Sequence, residues 1–210
     1  MRALRQERDD DVPGFSTVVL VEGISDQIAV EALAERRQRN LAAEGVSIVP
    51  IGGAQAIGRF LRAFGPQGLD VNLAGLYDAA EEHDVRRGLE RGGFGSDLTR
   101  ADMERLGFFV CVADLEEELI RALGAPGVER VLAANGDLRS FRTLQKQPAW
   151  RGRSPEQQLR RFMGSGGRRK IRYARFLVEA LDLADVPRPL DRLLAQLRPG
   201  DASAMTASRT

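Results

Sequence analysis

Thr17-Val18-Val19-Leu20-Val21-Glu22-Gly23-Ile24-Ser25-Asp26 decides how the rest of this chain is read. Residues 17 to 22 are β-branched and apolar without alternation, the pattern of a strand buried on both faces. Gly23 lets the backbone turn closely. A helix then runs to about Arg39, with Ile24, Ile28, Ala29, Ala32 and Leu33 on its apolar face. Glu22 thus stands at the end of a strand, and Asp26, one helical turn on, can reach the same point in space. A plainer reading stays open, with Ser25 or Asp26 as a helix cap and Glu22 as a solvated strand-end charge.

The same unit recurs outward from there. Val46 to Ile51 reads as a second strand, broken by Gly52-Gly53, and Ile57, Phe60, Leu61 and Phe64 give the amphipathic helix after it. Val71 to Tyr77 is a third strand ending at Asp78, followed by a helix from Ala79 to Arg91. Thr99 with Asp102 caps a short helix that stops at Gly107. Phe108 to Val112 is a fourth strand, and Leu115, Leu119, Ile120 and Leu123 mark the next helix. This alternation predicts an α/β fold: a parallel four-stranded sheet with right-handed crossovers, flanked by helices. Ligands in such sheets bind at the carboxyl ends of the strands. The residues expected there are Glu22 to Asp26, Gly52-Gly53, Asp78 to Glu82 and Asp114 to Glu117. Carboxylates at three of four strand ends would repel one another unless a cation sat among them.

After Gly124 only helices are expected. Gly127 to Ala134 and Leu138 to Gln145 are short ones, and Ser154-Pro155-Glu156-Gln157 is a capped helix start. Ile171, Ala174, Val178 and Leu181 line a further helix, and Leu190, Leu193, Leu194 and Leu197 a last one. The expected organisation is an N-terminal arm over residues 1–16, the α/β domain over 17–124, a helical basic extension over 125–198 and a disordered tail over 199–210.

Composition narrows the chemistry. A chain of 210 residues with 43% hydrophobic and 29% charged residues reads as a soluble globular protein, and its short apolar runs predict no membrane span. With one cysteine, Cys111, no internal disulfide forms, so a cytoplasmic location is the default. With one histidine, His83, a zinc site of His and Cys ligands cannot be built, and a Ser-His-Asp triad would have to use that residue. A metal here must be held by oxygen, which suits magnesium or manganese. Net charge is +1 but unevenly spread: residues 139–175 hold twelve Lys or Arg and one acid, whereas residues 1–138 carry −9. An acidic body beside a basic segment suits an enzyme acting on nucleic acid, although Arg-rich helices also serve as plain solvated faces.

Val21-Glu22-Gly23-Ile24-Ser25-Asp26 resembles the first motif of the Toprim domain in overcoming-lysogenization-defect (OLD) nucleases, Val-Glu-Gly-x-Ser-Asp, at each fixed position. Gly52-Gly53 resembles the turn after the family's second strand. Tyr77-Asp78-Ala79-Ala80-Glu81-Glu82 stands in place of the Toprim Asp-x-Asp motif but departs from it: Asp78 matches the first Asp, while the second is Ala80, leaving Glu81 or Glu82 to supply the missing oxygen. Asp114-Leu115-Glu116 resembles the late acidic motif, and Lys170 the C-terminal lysine near the metals. The likeness covers residues 17 to about 123, and 150 to 182 more loosely.

The resemblance implies a divalent-metal-dependent endonuclease using two Mg2+ or Mn2+ ions. Glu22, Asp26 and Asp78 would anchor one ion, and Asp114 and Glu116 would help with the other. Lys170 would neutralise charge on the cut phosphate. Arg168, Arg169 and Arg172 are the expected nucleic-acid contacts, with DNA preferred over RNA as partner. Neither Tyr77 nor Tyr173 resembles a topoisomerase nucleophile, so hydrolysis is expected rather than strand passage. No Walker A sequence is present, so an ATPase supplied in trans is an expected partner, and a homodimer is left open. The alternative function is a binding module whose catalysis is weakened at Ala80.

Overall fold

The computed structural model describes residues 14–165 and 167–197. The N-terminal arm before Gly14 and the expected tail lie outside them. Four strands, β1 (Thr17–Val21), β2 (Val46–Pro50), β3 (Asn72–Asp78) and β4 (Phe108–Cys111), form one parallel sheet in the order β2-β1-β3-β4. Helices α1 (Ile24–Arg36), α2 (Ile57–Phe64), α3 (Glu82–Arg91) and α4 (Arg100–Arg105) fall between the strands, and α5 (Leu115–Ala134) follows β4. Then come α6 (Leu138–Lys146), α7 (Pro155–Met163), α8 (Gly167–Ala180) and α9 (Arg188–Gln196). The fold is a parallel sheet flanked by helices, with further helices at the C-terminus.

Continuous apolar strands mean that both sheet faces are covered. On one side Val18, Leu20, Tyr77 and Phe108 pack with Ile57, Leu61, Val85, Leu89 and Met103 of the crossover helices. On the other, Val19, Val21, Ala74, Leu76 and Phe109 pack with Ala29 and Leu33 of α1, Leu119 of α5, Leu177 of α8 and Leu193 of α9. The C-terminal helices therefore share the core of the α/β unit. α5 is two helical segments joined at Gly124, where the backbone leaves helical geometry (φ 64°, ψ 162°).

The capping reads well from sequence: Thr99 with Asp102 and Ser154 with Gln157 form capping boxes. Two apolar assignments do not hold: Ile24 is 53% exposed and Ile171 38%, so neither joins the core. Ala174, Val178 and, just past the end of α8, Leu181 are buried as expected, joined by Tyr173 and Leu177.

Candidate metal centre

Because all four strands are parallel, their carboxyl ends share one edge, and the acids following β1 and β3 meet there. One carboxylate oxygen each from Glu22, Asp78 and Glu81 lie within 4.8 Å of one another. Glu22 follows β1 directly and Asp78 ends β3, its strand neighbour. Glu81 arrives through the short 3-10 turn Ala79–Glu81, which brings its carboxylate back over the edge. Ala80, where the Toprim pattern has its second Asp, is exposed. Of the two acids the sequence offered as a replacement, Glu82 is engaged elsewhere, pairing with Arg86 at 2.6 Å and Arg100 at 2.5 Å.

Three carboxylates this close resist ionising together. Burial first, then the charge and hydrogen bond of Glu22, push Asp78 up to about 8. Burial and Glu22 also raise Glu81, against the Ala54 amide, which favours its charged form. That amide follows Gly52 and Gly53, whose φ values of 76° and 109° favour glycine and fold the β2 end toward the site. A set of hard oxygen donors in mutual repulsion, none of them ion-paired among the described residues, fits a divalent cation of the magnesium or manganese kind. The nearby thiol of Cys111 is buried and raised by that burial, which does not suit a soft-metal ligand.

Asp26 stands beside this trio rather than in it. Its Oδ2 accepts from the Gly23 amide at 2.9 Å, fixing the turn after Glu22. Burial raises its pKa, opposed by that amide and by Lys170. Asp26, Glu116 and Lys170 line one narrow cleft with Ser25 and Tyr173. Glu116 is only 8% exposed, and burial, then the charge of Asp114, lift it to about 7. For Lys170, half-burial works against its charge, but Asp26, Asp114, Glu116 and Glu22 outweigh that and raise its pKa. Asp114 caps α5, accepting from the Glu117 amide at 2.7 Å, and lies 3.5 Å from Arg160. Asp26, Asp114 and Glu116 feel one another's charge and that of Lys170, but among the described residues only Glu22, Asp78 and Glu81 bring three carboxylate oxygens within 4.8 Å of one another.

Of the expected nucleic-acid contacts, Arg168 is exposed. Arg169 donates to the Phe162 carbonyl at 2.9 Å and lies over the Phe162 ring. Arg172 donates to the Asn135 carbonyl at 3.0 Å and pairs with Asp137 at 3.3 Å. Both therefore tie α8 to its neighbours. His83 lies on exposed α3 surface. Arg160, which sequence alone did not single out, bridges Asp114 and Glu117. Its partners lie more than forty positions away, so no local signal marks it.

The sequence profile described as the Overcoming lysogenization defect protein-like TOPRIM domain matches residues 15–79. No curated protein matches. Solved structures share the fold across most of the chain. The C-terminal region of the Burkholderia pseudomallei OLD protein is 20% identical, with a TM-score of 0.64 over 87% of this chain and 97% of that one. The corresponding region of the Xanthomonas campestris pv. campestris OLD protein is 23% identical, with a TM-score of 0.66 over 93% of this chain and 98% of that one.

Proposed function

We propose, from the OLD-like Toprim match over residues 15–79 and the convergence of Glu22, Asp78 and Glu81, that this chain is a divalent-metal-dependent nuclease acting on DNA. The cluster is the observation that carries the reading: three carboxylates crowded at a ligand-binding edge cost stability, and a cation offsets the cost. Glu22, Asp78 and Glu81 would hold a metal ion. When bound, Mg2+ or Mn2+ supplies Lewis acidity, stabilising charge on a phosphodiester and acidifying water.

The chain's own residues do the rest. Asp26 holds the Gly23 turn, and with it the orientation of Glu22. Lys170 keeps a positive charge beside Asp26, Asp114 and Glu116, where it can meet the added negative charge of a phosphate under attack. Asp114 and Glu116 are the donors at hand for a second ion. Glu116, with its pKa near 7, can also hold or release a proton at working pH.

Incubation with supercoiled plasmid and Mg2+ or Mn2+ tests the reading. Nicked or linear product is expected with metal, none in EDTA, and none from Glu22→Gln. Equal cutting by Glu22→Gln refutes it. If no metal supports cutting of plasmid, linear DNA or RNA, the chain is a binding module.

A further inference from the structure

A second cationic feature lies apart from the metal centre. The loop after α6 and the outer face of α7 enclose a groove of about 500 Å³ lined by Trp150, Arg153, Gln157, Arg160, Arg161 and Gly164. Trp150 is the chain's single tryptophan and sits half-buried on the groove wall. Its position is fixed through its backbone: the carbonyl accepts from Gln158 Nε2 at 2.8 Å, and Gln158 Oε1 accepts from Gln145 at 2.7 Å. The Arg161 guanidinium stands 5.9 Å from the ring centroid.

Arg153 and Arg161 are exposed, and neither pairs with a carboxylate among the described residues, whereas neighbouring Arg142 and Arg160 do. Glu156 is the only acid between residues 139 and 175, and among the described residues it pairs with neither arginine. An aromatic ring sharing a groove with two unneutralised guanidiniums suits a ligand offering both a flat π face and phosphates. An unpaired nucleotide strand offers both, while a duplex hides its base faces in the stack. The groove also connects to the carboxylate edge, because Arg160 lines it and reaches Glu117 at 2.5 Å and Asp114 at 3.5 Å.

We propose that this groove binds an unpaired nucleic-acid segment flanking the bond at the metal centre, with a base stacked on Trp150 and its phosphates on Arg153 and Arg161. The proposal rests on the nuclease reading for what the segment flanks. It makes the preferred substrate a strand with single-stranded character, such as a flap, a gap or a melted end.

Because Trp150 is the only tryptophan, fluorescence excited selectively at tryptophan, beyond tyrosine absorption, reports on this groove alone. The full chain in EDTA is titrated with an oligothymidylate of about 12 nucleotides, within the usual footprint of a single-strand site. An oligouridylate and a duplex of the same length, and heparin as a charge-only polyanion, are the other arms. Oligothymidylate is expected to quench strongly, duplex and heparin weakly. A stronger quench by oligouridylate supports the groove and assigns it RNA. With a labelled strand, Trp150→Ala should weaken binding by roughly tenfold and Trp150→Phe by much less, since the ring face remains. Replacing Arg153 and Arg161 together by Ala should weaken binding and reduce the salt slope by about 1.4, at roughly 0.7 per lost contact. These two side chains are exposed, so their loss does not threaten the fold.

No fluorescence change at saturating oligothymidylate and oligouridylate, an equal quench by heparin, or unchanged affinity in the double variant overturns the proposal. Working in EDTA keeps it separate from catalysis. Strong quenching by a chain that never cuts would leave the groove and remove the nuclease, and cutting without quenching would do the reverse.

Discussion

Replacing Glu22 by Gln should make the metal-free protein more stable while destroying its response to metal. Glu22 approaches Asp78 and Glu81 to within 4.8 Å. Two unit charges at about that distance repel by about 3.5 kcal/mol at an effective dielectric of about 20. Solvent reaches all three side chains, so screening reduces this to on the order of 1 kcal/mol. For a chain of this size that corresponds to a melting temperature about 2–4 °C higher. The pH dependence follows from Asp78, whose carboxyl titrates near 8 in the fold against 3.8 ordinarily. A pKa raised in the folded state gives stability that is complete below about pH 4 and is lost as pH rises through 8. Wild type in EDTA should therefore weaken across that window, and Glu22→Gln should weaken less. The assay is thermal denaturation by circular dichroism at about pH 5 and pH 9, with EDTA and then with Mn2+. The gain from Glu22→Gln should be largest at high pH in EDTA and reverse in Mn2+, which stabilises only the form that binds it. A variant that melts below wild type in EDTA at high pH, or that gains as much from Mn2+, refutes the electrostatic account of the cluster.

Three further outcomes are expected. Ala80→Asp places a carboxylate on an exposed position; its melting temperature should barely change, and Mg2+-supported cutting should rise relative to Mn2+, because the shorter acid restores a tighter donor than Glu81. Gly53→Ala meets no atom within 4 Å, so only the backbone strain at φ 109° opposes it; a loss of about 1–3 kcal/mol in urea denaturation is expected, and none would mean the turn relaxes. Tyr173→Phe deletes the 2.8 Å hydrogen bond its hydroxyl donates to Asp137; about 1 kcal/mol should be lost in the same assay with plasmid cutting retained, since Asp137 keeps Arg172.

Much of this arrangement is legible in sequence because it rests on short-range rules. Glu22 and Asp78 follow recognisable strands, and parallel pairing brings strand ends together whatever the loops do. The caps at Thr99 and Ser154 are equally local. Glu81 was visible only as one of two candidates, because the direction of a side chain leaving a 3-10 turn depends on where Arg86 and Arg100 pull its neighbour Glu82. Ile24 and Ile171 misled because helical periodicity marks an apolar stripe without saying where a helix outruns its core. The grouping of Asp26 with Glu116 and Lys170 needs the docking of α8 against α1 and α5, a contact across some 140 positions that no window of sequence contains.

The pairing of α1 with α8 works like a gauge set from its far end. At the carboxyl end of α1, Arg36 donates to the carbonyls of Val178 and Leu181, at 2.7 and 2.8 Å, where α8 terminates. The two helices therefore lie parallel, clasped at their ends, with Asp26 near the start of one and Lys170 near the start of the other. From the clasp to the lysine is about 12 Å of rigid helix, at a rise of about 1.5 Å per residue. A helix transmits a slip at one end to the other almost undiminished, and reacting groups tolerate little misplacement: about 1 Å can cost a hundredfold in rate. The position of the cation beside the carboxylates is thus governed by an arginine remote from it, and drift at Arg36 would detune the site while every residue of the acidic edge stayed the same.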